Sequence, residues 1–233
     1  MFNRTKTRNV HSRMSANSRA DFIMQSYGHL FGTVLALVGL EYYFFHNAKM
    51  VEFAKTMMGN WLLVLGAYMI VSMIASSMAH RIQSKPGQYF ALGLYTLAEA
   101  IILFPLLYIA YLKVGTDEIF NATMITLSGF LALTAVAFIT RKNFSFLRGI
   151  LIFGGIIALG LIIASFIFPS LSLGIWFSVA MVGLAGGFIL YSTSNIIHEY
   201  PEDRYVAASI ELLGALTLLF WYVLRIVIAL SED

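Results

Sequence analysis

Four ionisable side chains stand inside long apolar runs of this sequence: Glu41, Glu99, Glu211 and Arg225. A charge near the centre of a bilayer costs at least about 2.5–3.5 kcal/mol on insertion scales, so each needs a partner, a wet cavity or an interface. Carboxylates attract cations and carry protons. The stretch Tyr191-Ser192-Thr193-Ser194-Asn195 adds hydroxyl and amide oxygens, the ligand types that a hard cation such as Ca²⁺ accepts. His29 adds an imidazole, which changes charge near neutral pH. Each residue also has a plainer reading. Glu41, beside Tyr42 and Tyr43, can be solvated at an outer interface, His29 can be a packing histidine, and Ser192 to Ser194 can bond their own helix carbonyls. Arg225 can snorkel to the nearer membrane surface. Glu99 and Glu211 are the hardest to dismiss in this way.

The elements that must position these groups follow from composition. Of 233 residues, 59% are hydrophobic and only 12% charged, against about 25% charged in an ordinary soluble domain. The excess apolar surface fits a bilayer. Seven runs are long enough to cross it, over approximately 22–45, 61–79, 89–111, 122–139, 149–168, 173–197 and 205–230. They are continuous rather than alternating, which excludes a barrel. The expected fold is therefore an all-α integral membrane protein, with residues 1–20 as a basic tail and residues 21–233 as a single seven-helix domain. The first run, 24 residues ending in Glu41-Tyr42-Tyr43, reads as an uncleaved span. The short connection Pro169–Ser172 predicts a tight hairpin between the fifth and sixth spans.

Lys and Arg number eleven on the N-terminal side of this topology and three on the other, leaving Arg225 inside the last span. That asymmetry places the N-terminus in the cytoplasm. At about 1.5 Å per residue, Glu99 lies about 15 Å into its span, near the midplane, and Glu211 about 9 Å from the cytoplasmic edge. Asn195, Ser192 and His29 fall near the level of Glu211. One cavity open to the cytoplasm, with His80 and Arg81 at its mouth, would hold them all.

Cysteine is absent, which excludes disulfides and thiolate chemistry. The sequence contains no H-E-x-x-H, G-x-S-x-G, Walker or G-x-G-x-x-G motif, and its five histidines form no metal pair at helical spacing. No enzyme activity and no cofactor are expected. A net charge of +3 gives no case for nucleic acid, so the expected partners are the lipid bilayer and cations. Two small-xxx-small pairs, Gly28 with Gly32 and Gly183 with Gly187, predict close helix packing.

The C-terminal third, Ile189-Leu190-Tyr191-Ser192 through His198, Asp203 and Tyr205-Val206-Ala207-Ala208 to Phe220-Trp221-Tyr222-Val223-Leu224-Arg225-Ile226, resembles the Bax inhibitor-1 family of transmembrane Bax-inhibitor-motif proteins, bacterial members above all. Phe22 to Leu30 resembles the family's first span, and Tyr95 to Pro105 its third, ending in a proline. The resemblance implies a seven-helix bundle whose last helix is surrounded by the other six, a bacterial inner membrane location, and a calcium or proton leak. In several members an aspartate on each of the last two helices shares a proton and holds the pore shut. Those positions are Ser192 and Ala215 here, and neither residue can carry the charge. Glu211 lies four residues before Ala215, on the same helix face. Glu211 can stand in for one member of the pair and Glu99 for the other, while the family's basic latch positions correspond to Arg225 and Arg81. The expected function is a cation (calcium or proton) leak channel with an altered pH-sensing site. The contrasting expectation is a non-transporting membrane protein that binds or regulates partners, and a more remote one is an intramembrane enzyme.

Overall fold

The computed structural model describes residues 16–168 and 170–231; most of the basic tail, residues 1–15, lies outside the described residues. The described residues form eight helices and no strand: α1 (Ala16–Phe45), α2 (Ala48–Gly59), α3 (Trp61–Arg81), α4 (Lys85–Lys113), α5 (Gly115–Thr140), α6 (Leu147–Ile167), α7 (Ile175–His198) and α8 (Tyr205–Ser231). All but α2 are long and apolar enough to cross a membrane, which gives the seven spans read from the sequence. Helices suit this solvent because every backbone bond is made within the segment. Hydroxyls inside the spans are absorbed the same way. Ser26 donates to the Phe22 carbonyl at 2.9 Å, Thr126 to Ala122 at 2.8 Å and Thr217 to Leu213 at 3.0 Å. The outer faces carry large exposed apolar side chains such as Phe31, Leu63, Phe153 and Trp176, as a lipid-facing surface requires.

α2 is a helix additional to the seven expected spans: with 12 residues it is too short to cross a bilayer, and it carries Lys49, Glu52 and Lys55. Ala54 and Met57 are nevertheless buried, and the Asn47 side chain caps its first turn by accepting from the Lys49 amide at 3.0 Å. α4 runs through Pro105 to Lys113, in line with the apolar run over 89–111, and neighbouring helices can tolerate the missing donor. It begins four residues before that run, with Pro86 in its first turn.

α8 sits in the middle. It packs on α1, α3, α4, α5 and α7, and Val206, Leu212, Leu213 and Leu224 have no exposed surface. α6 is the outlier: it packs on α7 alone to any extent, and buries only Leu151 and Ala158. The two meet closely at Gly187, where an added Cβ would lie 2.8 Å from Leu151. Gly28, Gly32 and Gly183 have no such neighbour within 4 Å, so those positions do not serve the packing expected of them.

At the end of the bundle where α1 begins, arginines cap helix C-termini. Arg204 donates to the Ile82 carbonyl after α3 at 2.7 Å, and Arg19 donates to the carbonyls of Ile196 in the last turn of α7 and Tyr200 just after it at 3.1 and 2.9 Å. These satisfy orphan carbonyls and place positive charge on negative dipole ends. They also pin the α7–α8 loop, which carries Tyr200, against α1 and α3.

Candidate functional site

A cavity of about 980 Å³ runs between α3, α4, α6, α7 and α8. Three of the residues singled out in the sequence as an ion pathway, Glu99, Glu211 and Ser192, line it together, and so do Ala215 and Arg225. Ser192 and Ala215, the two positions that the resemblance aligns with an acidic pair, thus line one space, from α7 and α8.

Glu99, on α4, is 2% exposed. The Tyr68 hydroxyl of α3 donates to its Oε1 at 2.8 Å, with Tyr95 and Thr217 as further polar neighbours. α8 approaches closely here because residue 214 is glycine. A Cβ on Gly214 would collide with the Tyr95 hydroxyl and reach to 3.9 Å from Glu99 Oε1. Glu99 is therefore level with Gly214, three residues and about 4.5 Å along α8 from Glu211.

Glu211 is in a different environment. Its side chain is 30% exposed, and its Oε1 lies 3.2 Å from His80 Nε2. The same His80 nitrogen lies 3.0 Å from the Tyr200 hydroxyl, while His80 Nδ1 faces the Ser76 carbonyl at 2.8 Å. A carbonyl only accepts, so Nδ1 must carry a proton. Nε2 then has two states. As imidazolium it donates to the Glu211 carboxylate; as neutral imidazole it accepts, and the Tyr200 O–H supplies the bond. Burial, and then the nearby Glu211 carboxylate, hold the Tyr200 phenol well above its ordinary range, so Tyr200 keeps the proton it donates. One proton on His80 decides whether Glu211 has a cationic partner, since the other neighbour of the carboxylate, the Tyr200 hydroxyl, is neutral.

Several expected members stand elsewhere. His29 lies on a separate groove between α1 and α4, with Nε2 3.0 Å from the Tyr89 hydroxyl and its ring against Tyr205. Counting residues along the span put it level with Glu211, whereas its ring meets Tyr205, six residues before Glu211 on α8. Asn195 is buried beside the cavity residues in sequence but does not line it. Ser194 holds the α5–α6 connection, accepting from the Phe144 amide at 2.9 Å, and Thr193 meets the Tyr27 hydroxyl at 3.1 Å. Arg81 is exposed and does not line the cavity; the group that reaches Glu211 is its neighbour His80. Arg225 lines the far end of the cavity and donates to the Leu173 carbonyl at 3.3 Å. Glu41 is buried, not at a solvated interface: it is 8% exposed and neither oxygen has a hydrogen-bond partner among the described residues, while Tyr42 and Tyr43 take the outer face.

The sequence reading missed Tyr68, Tyr95 and Tyr200. A signal existed for the first. Tyr68, Ser72, Ser76 and His80 recur at every fourth residue of α3, which lines them up on one face, and all but His80 line the cavity. Among the described residues no three His, Asp or Glu side chains are grouped to hold a metal ion.

Comparison with known proteins gives a consistent result. Residues 19–232 match the family model described as "Inhibitor of apoptosis-promoting Bax1". A Pseudomonas aeruginosa protein is 35% identical over 112 residues, 48% of this chain and 50% of that protein, so the match spans half of that relative's length. The Escherichia coli "Modulator of FtsH protease YccA" is 33% identical over 159 residues, 67% of this chain and 71% of YccA. Bax inhibitor 1 of Schizosaccharomyces pombe is 28% identical over 180 residues, 76% of this chain and 65% of the yeast protein.

Proposed function

The chain belongs to the Bax inhibitor-1 family of multi-pass membrane proteins, and from that premise we propose that it is a cation leak pathway, for calcium or protons, whose opening follows the protonation of His80. The observation that carries this reading is the shared cavity in which Glu211 is held by a titratable partner while Glu99 is fully enclosed. In the imidazolium state the His80–Glu211 pair is internally neutral and offers a cation nothing. Loss of the His80 proton transfers Nε2 to the Tyr200 O–H and leaves Glu211 as a carboxylate without a cationic partner in the cavity. A cation is then drawn in by an unpaired charge in a low-dielectric surround. Ca²⁺ takes six to eight oxygens, and the cavity presents far fewer carboxylates, so the ion passes through rather than lodging. The wet end is cytoplasmic in this reading, from the eleven-to-three charge asymmetry, and the membrane is the bacterial inner membrane, where the relative YccA is named as residing. Neither an enzymatic turnover nor a cofactor enters the scheme.

The test is flux from proteoliposomes of the purified chain, read with calcium and proton indicators at several pH values. Flux that rises with pH supports the reading, and no flux above empty vesicles overturns it. A second reading has its own support in the E. coli relative, named as a modulator of FtsH protease: the chain regulates a membrane-anchored protease of that kind without transporting anything. Altered turnover of such a protease's substrates on expression of the chain, in the absence of flux, would favour it.

A further inference from the structure

The cavity has a side that none of the described helices closes. α3 and α6 both line it, yet they do not pack against each other. α3 leans on α4 and α8, and α6 leans on α7. The gap between them lies at the depth of the hydrocarbon, so whatever enters there comes from the bilayer. The α6 wall is apolar, with Ala158, Leu159 and Ile162 facing inward. Gly155 stands opposite open space, since a Cβ built there meets nothing within 4 Å. The volume, about 980 Å³, is at the upper end of the roughly 300–1,000 Å³ typical of small-molecule sites.

The polar end of the site is Arg225. It stands six residues before the end of α8 at Ser231, about 9 Å along the axis, near headgroup level. A guanidinium has five N–H donors. Here one hydrogen bond goes to the Leu173 carbonyl, the group lies over the Tyr222 ring at 5.9 Å, and no described carboxylate pairs with it. That leaves donors in the fork geometry that matches a phosphate. From Arg225 to Glu211 is about 21 Å along α8, longer than the roughly 15 Å of one leaflet's hydrocarbon.

We infer that the cavity holds a phospholipid, one acyl chain seated between α3 and α6 and its phosphate on Arg225. The lipid reaches the site sideways from the membrane and keeps its headgroup at the end of the bundle where α8 finishes. The assignment does not rest on ion conduction and stands or fails by binding alone.

The experiment uses the full chain, delipidated in detergent, with native mass spectrometry and thermal melting as readouts. Three probes are titrated: short-chain phosphatidylglycerol, the corresponding diacylglycerol, and inorganic phosphate. Expected are one tightly held phosphatidylglycerol per chain with a raised melting temperature, binding of diacylglycerol weaker by about tenfold for the lost charge-assisted bonds, and no shift with phosphate. Arg225→Gln should bind phosphatidylglycerol no better than diacylglycerol. Gly155→Phe should fill the cavity and lose the lipid, while the lipid-free protein melts as the parent does. Retention of tight binding by either variant overturns the assignment, because the lipid would then lie on the outer surface. An equal shift with inorganic phosphate overturns it as well, by assigning the site to a free anion.

Discussion

Glu99 and Glu211 lie about 4.5 Å apart along the axis of the central helix and face one cavity, yet they are held in opposite ways. Glu99 is 2% exposed and is met by a hydroxyl that has no charge to gain, Tyr68. Glu211 is 30% exposed and is met by an imidazole that does. A carboxylate enclosed by hydroxyls is a fixed part of the packing, since moving it strands buried donors. A carboxylate opposite a histidine has two arrangements that differ by one proton. The neighbouring Tyr200 makes both arrangements satisfiable, because it supplies the bond that His80 needs once its proton is lost. The lesson is that depth alone does not make a buried acid a functional one; the titratability of its partner does.

The sharpest way to break this distinction is at the enclosed site. Glu99→Ala should cost about 2–4 kcal/mol, from a buried Tyr68 hydroxyl left without an acceptor and lost packing, read by chemical denaturation in mixed micelles. Glu99→Gln keeps an acceptor and should recover most of it. If Glu99→Ala unfolds with the parent, the enclosed carboxylate is not structural and the two sites are alike. Next in size is Gly214→Ala, which drives a Cβ into the Tyr95 hydroxyl. A loss of about 1–3 kcal/mol is expected, relieved in a Tyr95→Phe background where the hydroxyl is gone.

At the switching site the expected changes are in pH response. His80 carries its extra proton at low pH and pairs Glu211, so flux should rise as pH increases and that proton is lost. His80→Gln should flatten that rise. One imidazole gives a shallow, single-proton slope, so Ser192→Asp with Ala215→Asp, which places a carboxylate pair on α7 and α8 facing the cavity, should steepen it. An unchanged profile in the folded double variant would mean that the two positions do not meet. The smallest effect belongs to Tyr200→Phe. Removing the donor that serves neutral His80 should cost about 0.5–1.5 kcal/mol, measured above the histidine range, and nearly nothing below it.

The seven spans were readable because a run of twenty apolar residues has few alternatives. The amphipathic α2 was not, since its buried Ala54 and Met57 make sense only against α4 and α1. Residue counting along a span gives depth at 1.5 Å per step, and for Glu99, Glu211 and Ser192 it placed cavity-lining residues at compatible levels. It gives no direction around the axis. His29 turns to the α1–α4 groove, and of His80 and Arg81, both expected at the cavity mouth and about 100° apart around the helix, it is His80 that reaches Glu211. The same blindness applies to Glu41: Tyr42 and Tyr43 are exposed at 67% and 57%, and Glu41, about 100° and 200° from them around the helix, turns inward. The polar stripe of Tyr68, Ser72, Ser76 and His80 held the directional information that single residues lacked.

The account depends most on Glu211, and Glu211→Gln tests it directly. Gln keeps the volume and an acceptor while removing the charge that draws cations. Flux and melting temperature are measured on the same preparation across pH. The expected result is flux reduced by about tenfold, corresponding to about 1.4 kcal/mol, with the pH rise gone and the melting temperature nearly unchanged. Unchanged flux with a clearly lowered melting temperature would contradict the account and leave Glu211 as a structural partner of His80.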